Sequence, residues 1–287
     1  MRSILLAGAG VISPDGVGAS PVPRPSELFD WGAAMLPDID PADYGWGGLN
    51  RQSRIGKYAM LAIGEAFRSA DVHVPIAEPN QADRTALIIY TSNSTLEPIL
   101  SLYKDAEDYG VNHVNPGIFP DTVLNAIGGH ASIYFRITGP NLTVSNTSPS
   151  ALTGMQHAHD LLATGDVDQV ICCSIHIHPP ARLRQLAGGR TGPESIVALL
   201  FRRDQGEWIP ESTPNAVRIG WQGPLTEAPL CFTLVPRNHS FLALAAFVRG
   251  EGERRLCGDE SRFAVSHPEG SYTCVPILTR IGEDEHA

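Results

Sequence analysis

Several histidines, one serine and five cysteines are the residues of this chain that could do chemistry. His176 and His178 alternate at the end of the apolar run DQVICCSI (168–175), so both face one side of a strand end, with Pro179-Pro180 after them. Two imidazoles on one side suit metal ligation. No third or fourth ligand is suggested, so the pair reads as a solvated or core-edge pair and no metal site is expected. His157 and His159 lie on a helical stretch two and three turns beyond Ser148. His113 and His239 fall in loop-like segments, and Gly129-His130 stands in the first half of the chain. Ser148-Pro149 has the form of a helix start, with serine as N-cap and proline at the first helical position. Cys172, Cys173, Cys231, Cys257 and Cys274 are odd in number and lack metal-type spacing, which fits free thiols in a cytoplasmic chain.

The elements that must position these residues follow from hydrophobic period. Residues 3–7 (SILLA) read as a buried strand closed by Gly8 and Gly10, and 84–91, 141–145, 168–175 and 195–202 as further strands. Helical spacing occupies 51–70, 94–108, 119–136 (with a possible break at Gly128-Gly129) and 149–164, with a short helix near 26–35. Strands alternating with helices indicate an α/β domain over 1–205. Residues 206–240 are Pro-rich and read as irregular, followed by a helix at 239–250 and a hairpin at 262–281. In 149–164 the apolar residues do not keep to one narrow stripe, which predicts burial on most sides.

Composition excludes some partners. With 31 acidic against 21 basic residues the formal net charge is −10, which argues against nucleic acid or an anionic membrane surface. Arg51, Arg54 and Lys57 at i, i+3, i+6 form either a local basic patch for an acidic partner or a plain solvated helix face. The first apolar run is too short to span a membrane and no later one approaches that length. Gly8-x-Gly10 follows a strand, but Ser13 and Pro14 stand where a dinucleotide fingerprint needs its third glycine and a helix.

The motifs in order resemble the β-ketoacyl synthases, condensing enzymes of the thiolase fold. GAGVISPDGVG (8–18) is similar to their first strand and turn, and DPADYGWGGLNRQSRIGKYAMLAIGEAF (40–67) to the following helix region. FPDTVLNAIGGHASIYFRITGPNLTV (119–144) and TGPNLTVSNTSPSALTGMQHAHDLLATGDVDQVICC (138–173) are similar to the segments leading into and through their nucleophile elbow. GPESIVALLFRR (192–203) is like the strand that follows. The resemblance covers residues 1–205, the family's N-terminal half, and leaves 206–287 as a divergent C-terminal extension packed on it.

Aligned without a gap, the family's reactive cysteine falls on Ser148, and its two C-terminal histidine motifs have no counterpart. The resemblance therefore implies a thiolase-like α/β scaffold without condensing chemistry, an accessory partner of a synthase in the manner of a chain-length factor. The alternative is an acyltransferase or acyl-thioester hydrolase with Ser148 as nucleophile and its backbone N–H in the oxyanion site. A serine hydroxyl needs a general base within reach, and sequence selects none. Implied partners are an acyl carrier protein or acyl-CoA thioester, and a second copy or a ketosynthase paired through the 141–145 strand. No cofactor is implied.

Overall fold

The computed structural model describes residues 3–18, 34–91, 93–145, 151–183, 193–203, 217–224 and 274–280. Their strands form one mixed sheet. In chain order they are β1 (Ser3–Ser13), β2 (Gly16–Val17), β3 (Thr85–Thr91), β4 (Asn141–Ser145), β5 (Gln169–His176), β6 (Ser195–Arg203), β7 (Val217–Pro224) and β8 (Cys274–Arg280). Across the sheet the order is β4-β3-β5-β6-β1-β7-β8, with β2 folded back on β1. β3 pairs in parallel with β4 and β5, and every other pairing is antiparallel. The helices are α1 (Arg54–Ser69), α2 (Pro79–Asp83), α3 (Leu96–Tyr109), α4 (Ala126–Phe135) and α5 (Ala151–Thr164).

β3, β5 and most of β6 are buried on both faces, which is why they read as unbroken apolar runs. One face carries a core of Ile12, Leu87, Ile89, Ile171, Cys173 and Leu200 under α1 and α4. The other carries Ile88, Tyr90, Val170, Cys172, Val197 and Leu199 under Met155, Ala158 and Leu162 of α5.

β1 does not stop at its glycines, as 3–7 predicted, but runs on to Ser13. Gly8 and Gly10 serve helix packing instead of a turn. A Cβ on Gly10 would lie 2.0 Å from the Ala62 carbonyl oxygen, and one on Gly8 2.4 Å from that of Ala66. The missing side chains let α1 lie directly on the strand. The register slips between Leu6 and Gly8, and there the Ser69 hydroxyl accepts from Ala9 N and donates to Ala9 O. α1 itself starts on Ser53, whose side chain accepts from Gly56 N.

Other expectations change in detail. Residues 119–136 are two elements, a 3₁₀ segment at Pro116–Thr122 and α4, and Gly128-Gly129 lies inside an unbroken helix. The 206–240 stretch contributes β7, which pairs with β1 and with β8 (274–280), while 262–273 of the expected 262–281 hairpin lie outside the described residues. The helices read at 26–35 and 239–250 lie outside the described residues, except that 34–40 have no regular structure. Over its described side chains, 154–164, α5 is one-sided: Gly154, Met155, Ala158 and Leu162 are buried, while Gln156, Asp160, Ala163 and Thr164 are exposed. Met155, Ala158 and Leu162 make a stripe against the sheet, with Leu161 at the margin.

Candidate active site

Buried polar side chains gather at one end of the sheet, where the parallel strands finish. Thr91 ends β3, Ser94 and Thr95 follow it, Ser174 and His176 end β5, His178 follows, and Glu194 and Ser195 open β6. Pairing makes this a single row, with Ser145, Thr91 and Ile175 level with one another and His176 opposite Ser195. β4 ends in this row at Ser145, and α5 begins at Ala151. Ser148 lies between these two residues, outside the described residues.

Of the two readings of the histidine pair, burial at the strand end excludes the solvated one and fits the core edge: His176 is 2% and His178 6% exposed. Their rings stand 6.2 Å apart and nearly perpendicular. Glu194, 2% exposed, lies beside His178. Its Oε1 accepts from His178 N at 2.9 Å and lies 3.8 Å from His178 Nδ1, and its Oε2 accepts from Leu36 N at 3.0 Å. Glu194 N in turn donates to Ala34 O. A carboxyl this deep would be costly without such donors. Asn93 donates to Ile177 O and ties the loop after β3 to the same corner. Thr91 Oγ1 and Ser94 Oγ have no hydrogen-bond partner among the described residues.

Glu194 was not singled out by the sequence reading. Its signal was available as a lone carboxylate directly before an apolar strand, but its partners are 16 and 158 residues away. Among the described residues no group of three or more His, Cys, Asp or Glu side chains is placed to hold a metal ion.

The other candidates are engaged elsewhere. His157 Nδ1 is 2.8 Å from Tyr90 Oη with the two rings stacked, which pins α5 to β3. Burial raises the Tyr90 hydroxyl pKa well above the ordinary value, so it stays protonated. His159 sits beside Asp160 at the surface, His130 is 3.8 Å from Asp121, and His113 is exposed. His239 lies outside the described residues. Cys172 and Cys173 are free, fully buried, and raised by that burial, which leaves inert thiols. The basic triplet is not one solvated face: Arg54 donates to Leu36 O and lies over Tyr58, while Arg51 is exposed. No helix among the described residues is long and apolar enough to cross a membrane.

This order of strands, with β4, β3 and β5 parallel and the rest antiparallel, is that of a thiolase-like fold. Residues 28–190 match the family described as "Beta-ketoacyl synthase, N-terminal domain", and the chain belongs to that family. It is 30% identical over 115 residues to a 3-oxoacyl-[acyl-carrier-protein] synthase 2 of Vibrio cholerae, covering 40% of this chain and 27% of that protein. It is 26% identical over 188 residues to the protein of the same name from Coxiella burnetii, covering 59% and 44%. The chain thus spans less than half the length of these curated relatives. Among solved structures it is similar to the ishigamide ketosynthase/chain length factor, with TM-score 0.66 and 15% identity over 98% of this chain and 100% of that one. A ketosynthase in complex with its chain length factor from Xenorhabdus doucetiae gives TM-score 0.55 and 19% identity, again over 98% and 100%. At such identities these likenesses establish the fold, which agrees with the sequence expectation.

Proposed function

We propose that this protein is an accessory, chain-length-factor-like partner of a ketosynthase in fatty-acid or polyketide-type biosynthesis, without condensing activity of its own. The observation that carries the reading is the open edge of β4. Among the described residues β4 pairs only with β3, and Leu142 on it is exposed. Around it α4 and the 116–125 region present Ile133, Phe119, Val123 and Leu124 to solvent, with Tyr103 on α3, which packs on the 3₁₀ segment. An unprotected edge strand inside an apolar surface calls for a partner. A ketosynthase is the partner that the complexes of similar fold support.

Ser148 in the place of the reactive cysteine supports the loss of condensation. The boundary at 205 is part of this reading: 1–205 is the synthase-like domain, and 206–287 a divergent extension whose strands β7 and β8 continue the sheet past β1. The thioester borne by an acyl carrier protein or by CoA is the ligand expected at the shared centre. Co-expression with the ketosynthase of the same pathway, followed by size-exclusion chromatography with light scattering, tests the reading. A stoichiometric heterodimer that Leu142→Arg disrupts is the expected result. A tight homodimer or a monomer that ignores the synthase would overturn it.

The second reading, an acyltransferase or thioester hydrolase with Ser148 as nucleophile, draws support from the buried imidazoles at the level of Ser145. Intact-protein mass after incubation with acyl-CoA, compared with Ser148→Ala, tests it. One acyl increment that vanishes in the variant is expected, and no increment sinks it.

A further inference from the structure

The apolar surface around β4 has a recess at the amino end of that strand. The connection from Ile76 to Asp83 meets the last turn of α4 there, and a cavity of about 510 Å³ lies between the two. Small residues leave the space: Ala77, Pro79 and Ala82 line it from the connection, against Ile133 and Ile137 from the α4 side. Ile76, Ala82 and Ile137 are buried and make an apolar floor. Backbone hydrogen bonds fix the two walls to each other. Ile76 N donates to Phe135 O at 2.9 Å, and Thr138 N and Gly139 N both donate to Ala82 O at 3.1 Å. Asn141, the first residue of β4, donates to Ser132 Oγ at 2.8 Å, which joins the recess to the edge strand. The recess is preformed, so an occupant need not order it. Two charged side chains line it. Thr138 donates its hydroxyl hydrogen to Asp83, so that carboxylate is engaged. The Arg136 side chain is exposed and has neither an ion pair nor a hydrogen bond among the described residues. Arg136 also caps α4 at φ 56°, a left-handed conformation that favours glycine. A helix end that glycine would suit better thus keeps a long cation beside the recess.

We infer that the recess seats an apolar side chain of the ketosynthase partner, with a neighbouring carboxylate of that protein paired to Arg136. The inference rests on the accessory reading and names the anchor of its interface. Ile133, on the wall, is 79% exposed, more than any other large hydrophobic side chain among the described residues. A small molecule in the cavity would fill the floor and leave that side chain in water. A protein surface covers floor and rim together. An apolar pocket with an arginine at its edge is also the composition of an interface hot spot. Charge sets the sign of the complement: the one unpaired charge lining the recess is a cation, so the occupant carries an anion beside its apolar group. The planar guanidinium fork takes a carboxylate through two parallel hydrogen bonds. Once the rim is covered, water no longer screens that pair.

The test measures the affinity of the full chain for the ketosynthase of the same pathway by biolayer interferometry, for wild type, Arg136→Gly, Ala77→Trp and Leu142→Arg. Arg136→Gly removes the guanidinium where the backbone suits glycine, so its melting temperature should not fall. Ala77→Trp fills the recess from an exposed wall position outside any helix or strand. Each of these two should raise the heterodimer Kd about 30-fold with an unchanged or higher melting temperature. Ala77→p-benzoylphenylalanine should cross-link to an apolar stretch of the ketosynthase that carries Asp or Glu. A heterodimer lost in Leu142→Arg but unchanged in both recess variants overturns the inference and leaves the accessory role standing. An effect of Ala77→Trp alone overturns the carboxylate pair, and an effect of Arg136→Gly alone overturns the apolar anchor. A homodimer that both recess variants weaken would seat a second copy here and overturn the ketosynthase as occupant. No heterodimer in wild type overturns both the inference and the accessory role.

Discussion

At the amino ends of the parallel strands, Gln169 donates to Thr85 Oγ1 at 2.8 Å, Thr85 donates to Gln81 O, and Arg84 makes a two-pronged contact with Asp168. At the carboxyl ends, Glu194 lies 3.8 Å from the imidazole of His178, whose ring stands 6.2 Å from that of His176, and two hydroxyls have no hydrogen-bond partner among the described residues. The first end spends its polar atoms on closing the fold. The second keeps titratable groups in a desolvated setting, where pKa values and hydrogen-bond strengths respond most to their neighbours. α/β sheets generally bind ligands outside the carboxyl ends of their parallel strands, and the asymmetry here has that sense.

The largest effect should come from breaking what both ends share, the contact of β1 with α1. Gly10→Ala drives a methyl into the Ala62 carbonyl at 2.0 Å with backbone on the other side at Ala66 N. Urea denaturation should show a loss of about 3 kcal/mol or more, or no soluble protein. Glu194→Ala comes next, because it strands the buried N–H groups of Leu36 and His178. A loss of about 2–4 kcal/mol is expected by the same measurement, and a loss below about 0.5 kcal/mol would mean that the carboxylate does not hold this end together. Gln169→Ala at the opposite end removes one buried donor to Thr85, whose hydroxyl keeps its bond to Gln81 O. Thermal and urea unfolding should show about 1–2 kcal/mol.

The smallest effect belongs to the Arg84–Asp168 pair. The hydrogen bond from Arg84 holds the Asp168 carboxyl below its ordinary value, so the pair's contribution is present above the unfolded-state pKa of about 4 and is lost as pH falls through the lower folded value. Asp168 is half-exposed, and solvent screens most of that contribution. Asp168→Asn should leave the neutral-pH denaturation midpoint within experimental error and flatten only the acid limb below about pH 4. A large shift at neutral pH would make the amino end more than a surface clasp.

Period and motif order in the chain were sufficient for the α/β class, for strands read at 84–91, 141–145, 168–175 and 195–202 and found within a residue of those bounds, and for membership of the synthase family. These are local or ordered patterns: a two-residue or 3.6-residue repeat announces itself within a few turns, and motifs in fixed order are legible over part of the relatives' length. Ser148 was legible as a position but not as a role, since a cap and a nucleophile use the same residue at the same helix start. Tertiary structure alone decided three matters. Gly8 and Gly10 proved to be contact points for α1 instead of strand ends, because the clashing carbonyls come from residues 62 and 66. α5 proved one-sided over 154–164, because its neighbours on the sheet determine which apolar residues count as a face. The Glu194–His178–His176 cluster could not be read in advance, since burial and a partner at residue 36 turn an ordinary glutamate into the carboxylate of a candidate site, and contacts between distant residues leave no periodic trace in sequence.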